Sequence, residues 1–169
     1  MSDAHLHLIV NHFPIIGTIF GLGILIAGFA LKNNAIKNTA YVLFIIAAAF
    51  AFASMYTGEG AEEMVEDMPN IGKQIIHQHE ELAEKLAILL YATAFFSLAS
   101  IYTAIKNHIF AKILSYITLV LALGATVLGS FVGTSGGEIR HTEIRENALQ
   151  KAVQIDSTDE EYNKNNGER

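Results

Sequence analysis

Four stretches of this chain contain no Asp, Glu, Lys, Arg or His: residues 14–31, 40–56, 86–105 and 113–135. Each is about as long as a helix must be to cross ~30 Å of hydrocarbon at ~1.5 Å of rise per residue. A helix on the surface of a water-soluble protein returns a polar residue to its outer face every three or four positions, and these four do not. Lipid offers the backbone no hydrogen-bond partners, so each stretch must satisfy its own amides as a helix. Four such stretches in 169 residues leave no further helices to wrap them. The sequence therefore predicts an all-α, integral membrane four-helix up-down bundle. Residues 1–141 form the transmembrane domain, with an outer amphipathic loop, and residues 142–169 form a polar tail.

What is missing narrows the chemistry. There is no cysteine, which removes disulfides, cysteine-ligated iron–sulfur clusters and covalently attached c-type haem. There is no tryptophan, so Tyr41, Tyr56 and Tyr102, at the ends of the apolar stretches, are expected to anchor the bundle at the membrane interfaces. A net charge of -6 provides no electrostatic footprint for nucleic acid. The N-terminus lacks the basic segment and small-residue cleavage site of a removable signal peptide. No Walker, serine-protease or zincin pattern occurs. No charge lies deep enough in the apolar stretches to carry a proton across the whole membrane.

The connections suggest an orientation. Two short ones, residues 32–38 and 106–108, carry Lys32, Lys37 and Lys106, with Lys112 close by and no acid. The long connection on the other side, residues 57–85, is rich in Glu and Asp. Short lysine-rich loops stay in the cytoplasm. That places the long loop and both termini on the periplasmic side of a bacterial inner membrane, although Arg140, Arg145 and Lys151 run against the trend. Gly17 and Gly21, and Gly129 and Gly133, have the spacing that lets membrane helices approach closely. Residues 143–153 read as a short amphipathic helix, and residues 156–169 as a disordered tail.

Six of the seven histidines fall on the outer side: His5, His7, His12, His77, His79 and His141. His12 stands in Asn11-His12-Phe13-Pro14 at the outer start of the first span, where proline is tolerated in a first helical turn. His79 stands in His77-Gln78-His79-Glu80-Glu81, leading into the third span. In an up-down bundle these two spans are diagonal partners, so His12 and His79 at matching depth are expected to face each other across the interior. A bis-imidazole haem needs that arrangement. Ionisable groups near a membrane are costly and tend to be functional.

Carboxylates add a second signal. Glu59, Glu62 or Glu63, and Glu66 recur at three-to-four spacing, which on a helix makes one acidic stripe that His79, Glu80 and Glu84 could face. After the fourth span comes Gly136-Gly137-Glu138-Ile139-Arg140-His141. The two glycines permit a tight turn or a close backbone approach, which would bring Glu138, Arg140 and His141 back over the bundle mouth. Arg140 could clamp a carboxylate, from the stripe or from a haem propionate. Mixed His and Glu ligation also suits non-haem iron, zinc or copper. No Glu-x-x-His pair of the di-iron bundle type lies within the spans.

These landmarks together resemble a family of uncharacterised four-helix bacterial membrane proteins classed as a domain of unknown function. Its pattern opens with a histidine and, five residues on, His-Phe-Pro, matched by His7 and His12-Phe13-Pro14. A Thr-Gly-Glu stretch with further glutamates follows, matched by Thr57-Gly58-Glu59-Gly60-Ala61-Glu62-Glu63. Then come His79-Glu80-Glu81 and a Gly-Gly segment leading to Arg-His, matched by Gly136, Gly137, Arg140 and His141. The resemblance covers about residues 5 to 145. It implies a hint of electron transfer, because relatives are sometimes fused to c-type cytochrome domains, and it points to His7, His12, Glu59, His79 and His141.

Three functions follow as expectations. The first is a membrane cytochrome: haem b in the outer half of the bundle, His12 and His79 as axial ligands, His7 or His141 as substitutes or as ligands of a second haem, and Arg140 on a propionate. Its partners would be quinol, cytochrome c or another periplasmic carrier, or a larger respiratory complex. The second is a protein binding iron, copper or zinc through His7, His12, His79, His141, Glu59 and Glu63. The third is a structural subunit of a larger complex, with the histidines as interfacial polar groups. A homo-oligomer is open under each.

Overall fold

A computed structural model of the chain describes residues 2–65, 73–141 and Arg145. It contains α1 (Asp3–Val10), α2 (Phe13–Ala30), α3 (Asn34–Val65), α4 (Lys73–Ile105) and α5 (Ala111–Arg140). α1 and α2 form one span with a joint at Asn11 and His12, and Pro14 sits in the first turn of α2, where its missing N–H costs nothing. The four helical units run 28, 31, 33 and 29 residues. About 20 residues suffice to cross the hydrocarbon, so their ends project beyond it.

The bundle closes as a ring: α2 packs on α3, α3 on α4, α4 on α5, and α5 on α2. The diagonal relation of α2 and α4 follows as expected. Only about a third of each apolar window is buried inside the protein. Side chains such as Phe20, Phe52, Ile88, Phe95 and Val120 point outward. So much outward apolar surface on every helix is stable only in lipid; the chain is a multi-pass membrane bundle.

Its interior is built in two apolar clusters. One joins Leu22, Leu25, Tyr41, Phe44 and Ala122, the other Ala48, Ala51, Leu86, Leu90, Ala125 and Val132. Among these apolar residues, hydroxyl side chains are fully buried: Thr18, Thr93, Ser97, Ser100 and Thr118. Most bond the carbonyl four residues back, which satisfies the hydroxyl within its own helix. Ser100 and Thr118 also bond each other between α4 and α5 at 3.3 Å. Gly17 and Gly21 face Ala47 and Phe44 of α3, and Gly129 and Gly133 face Ile15 of α2, as the small-residue spacing predicts.

Several expectations change. The connection expected at residues 32–38 shrinks to 31–33, because Asn33 Oδ1 accepts the N–H groups of Ala35 (2.9 Å) and Ile36 (3.3 Å) and starts α3 at once. The long loop expected at residues 57–85 is mostly helix, since α3 runs on to Val65 and α4 begins at Lys73. Tyr56 and Tyr102 are exposed as interface anchors should be, but Tyr41 is buried and donates to Ser115 Oγ at 2.8 Å. Gly136 and Gly137 make no turn; α5 passes through both. Glu66, residues 156–169 and all of residues 143–153 except Arg145 lie outside the described residues.

Candidate functional site

The end of the bundle opposite the two short turns holds six of the seven histidines, His108 lying in the turn after α4. His7 is on α1, which packs against the end of α3. The face of α1 turned inward is Ala4, His7, Val10 and Asn11, a three-to-four stripe; His5 and His12 fall off it and are exposed. α1 can lie this close because of Gly60. A Cβ there would stand 2.7 Å from Asp3 Cβ, a distance no side chain tolerates. This gives a physical reason for the second glycine in Thr-Gly-Glu-Gly.

On α4 the buried series Ile76, Leu86, Leu90, Thr93, Ser97 and Ser100 marks the core line. His79, half-buried, lies on that line one turn beyond Ile76. Its ring rests on α5: a Cβ at Gly136 would stand 3.0 Å from His79 Cε1. Gly136 therefore serves close approach within a helix.

The hydrogen bonds define the tautomers. His7 Nδ1 is 3.0 Å from the Ser54 carbonyl oxygen. A carbonyl can only accept, so Nδ1 carries the proton. The same Nδ1 is 3.2 Å from Thr57 Oγ1, whose own hydroxyl is directed to the Ala53 carbonyl at 2.9 Å. His79 Nδ1 is 2.9 Å from Ser135 Oγ, and that hydroxyl donates to the Val132 carbonyl at 3.1 Å. Ser135 must then accept from His79, whose proton also sits on Nδ1. In both rings Nε2 keeps its lone pair and has no hydrogen-bond partner among the described residues. Metal-ligating imidazoles are held in this state, with one nitrogen oriented by a neighbour and the other open.

The two rings also lie close enough for charge on one to act on the other, and His7 stands in the same relation to His12. The imidazole brought toward His79 is thus that of His7. His12, expected opposite His79, is the exposed residue preceding α2. The difference is one of helix phase: α1 continues α2 along α3, with Phe13 on Phe50, His7 on Ser54 and Asp3 beside Gly60, and along it His7 turns inward while His12 turns outward.

The remaining candidates are spread around the rim. Glu59 and Glu63 are exposed, as is His141, which ends α5. Arg140 is the last residue of α5, and its side chain is outside what the structure describes. Glu62 is half-buried on the expected stripe, with Glu80 within hydrogen-bond reach. His77 pairs along its own helix with Glu80 (3.9 Å) and Glu81 (3.8 Å), a solvated arrangement of little energetic weight. Because α5 extends past Gly137, Glu138 and His141 form one Glu-x-x-His pair at its tip; di-iron bundles use two. Among the described residues no group of three or more His, Cys, Asp or Glu could hold a metal ion.

Sequence reasoning missed Ser54 and Ser135 as the groups that orient the rings. Ser135 was detectable as the residue one helical position before Gly136. No known protein family matches this chain, and neither a curated protein nor a solved structure is similar to it.

Proposed function

We propose that this chain is a membrane electron-transfer protein in which His7 and His79 would hold haem b at the histidine end of the bundle. The observation that supports this reading is the pair of imidazoles from different helices, each tied at Nδ1 and open at Nε2. The donor count favours haem. A porphyrin brings four nitrogens of its own, so two imidazoles complete the iron. A zinc or non-haem iron site asks the protein for three or four side chains.

When bound, haem supplies one-electron redox chemistry. The chain's own residues do the rest: Ser54, Thr57 and Ser135 fix the ring orientations, and α1, packed along α3, carries His7 to the site. Arg140, the last residue of α5, would supply the cation for a propionate. With the lysine-bearing turns in the cytoplasm, the site faces the periplasm of a bacterial inner membrane. Its exchange partners are then quinol in the bilayer and a carrier such as cytochrome c outside it, within or beside a larger respiratory complex.

The test is the visible spectrum of the full chain extracted in mild detergent, oxidised and dithionite-reduced. The expected result is the Soret and sharp α band of low-spin bis-imidazole haem. His7→Ala and His79→Ala should each abolish it, and His12→Ala and His141→Ala should leave it in place. A wild-type protein with no Soret band under haem-retaining conditions refutes the proposal.

A further inference from the structure

The opposite end of the bundle contains a cavity that the histidine site does not use. It has a volume of about 310 Å³ and lies between the starts of α3 and α5 and the turn after α4. Lys37, Lys112 and His108 line it, together with the amides of Asn34, Asn38 and Asn107. Tyr41 and Ser115, hydrogen-bonded to each other, also line it.

Charge is the first observation. The sequence has no Asp or Glu between Asp3 and Glu59, and none between Glu84 and Glu138. All the helical segments that meet at this cavity therefore lack acids, and neither Lys37 nor Lys112 has an ion-pair partner among the described residues. Lys37 Nζ instead stands 5.4 Å from the centre of the Phe29 ring. Two helices also begin here, at Asn34 and Ala111, and direct the positive ends of their dipoles at the same space. The cavity needs a counter-charge from outside the chain.

The second observation is a set of neutral donors: the side-chain amides of Asn34, Asn38 and Asn107 line the cavity beside the two lysines and suit the oxygens of a phosphate.

The third is the rim. Leu31, Ile105, Ile109 and Phe110 are exposed large apolar side chains in and beside the two turns that frame the cavity. A soluble anion gains nothing from them, whereas acyl chains do. Basic pockets between membrane helices on the side carrying the lysines suit anionic lipid headgroups.

We infer that this cavity is a binding site for the headgroup of an anionic phospholipid of the phosphatidylglycerol type. The phosphate lies between Lys37 and Lys112, and the acyl chains run along the apolar rim. The site is independent of the haem proposal.

Native mass spectrometry of the full chain, delipidated in non-ionic detergent and titrated with dioleoylphosphatidylglycerol or dioleoylphosphatidylcholine, tests it. One phosphatidylglycerol should bind at least tenfold more tightly than phosphatidylcholine. Lys37→Gln or Lys112→Gln should each weaken it about fivefold, and the pair about 25-fold, from the usual contribution of one lysine near an anionic lipid. Lys37→Arg with Lys112→Arg keeps the charge and should keep the preference, which separates loss of binding from loss of fold. Equal affinity for the two lipids, or an unchanged preference in the double Gln variant, overturns the proposal. Displacement of the lipid by millimolar inorganic phosphate also overturns it, by assigning the cavity to a free anion.

Discussion

Ser135 Oγ accepts the Nδ1–H of His79 at 2.9 Å while its own hydroxyl donates to the Val132 carbonyl at 3.1 Å. This relay runs from backbone to hydroxyl to ring, and it leaves Nε2 of His79 as the ring nitrogen with a free lone pair. His7 reaches the same state through the Ser54 carbonyl and Thr57. Two different local solutions produce one chemical outcome on two helices.

Ser135→Ala should therefore loosen the ring without emptying the bundle. Removing an orienting neighbour of a metal-bound histidine typically costs 10–100-fold in affinity. The lost hydrogen bond itself costs about 1 kcal/mol of stability. Haem titration of the variant against wild type, beside its melting temperature, checks both, with Ser130→Ala on the exposed side of α5 as the neutral control.

The two adjacent glycines of α5 should behave oppositely. A Cβ at Gly136 would press on the His79 ring at 3.0 Å, whereas one at Gly137 would meet nothing within 4 Å. Gly136→Ala is expected to displace the ring and lower haem occupancy. Gly137→Ala should leave occupancy alone and raise stability by about 0.5–1 kcal/mol, the usual gain of alanine over glycine in a helix. Parallel spectra and thermal melts distinguish the two.

Tyr41 was expected at the membrane interface and is instead a buried link between α3 and α5. Tyr41→Phe keeps the ring and removes the bond to Ser115, whose hydroxyl retains the Ala111 carbonyl at 2.7 Å. The expected loss is about 1 kcal/mol. Tyr56→Phe, at an exposed position, should lose nothing measurable in the same denaturant titration.

Both short turns use one backbone device. Lys32 and Asn107 adopt φ of 50°, and the residue after each returns its N–H to a carbonyl five residues back, Asn33 to Gly28 and His108 to Thr103. This is the cap that glycine occupies most easily. Asn107→Gly should stabilise the turn by up to about 1 kcal/mol. A lower melting temperature in that variant would contradict it.

The bundle was legible because hydrocarbon imposes a single rule. A charge-free stretch of about 20 residues can only be a helix, and residues 14–31, 40–56, 86–105 and 113–135 each obey it. His79 was legible too, since it continues the core line through Ile76 and Leu86 on α4. The rim was harder to read. Polar residues at a membrane surface are equally at home in a loop or a helix, so the three-to-four spacing of Glu59 and Glu62 was the one sign that α3 runs past Tyr56, and nothing marked the extension of α5 past Gly137.

The sequence by itself determined the number of spans, their diagonal order and the crowding of histidines at one end, because these depend on where charge is absent. Only the tertiary structure decided that His7, and not His12, approaches His79. That outcome depends on the phase with which α1 continues along α3, close in where Gly60 admits it, and on which carbonyls and hydroxyls then come within hydrogen-bond distance of a ring nitrogen. Such contacts join residues 47 and 56 positions apart in the chain, and no local pattern encodes them.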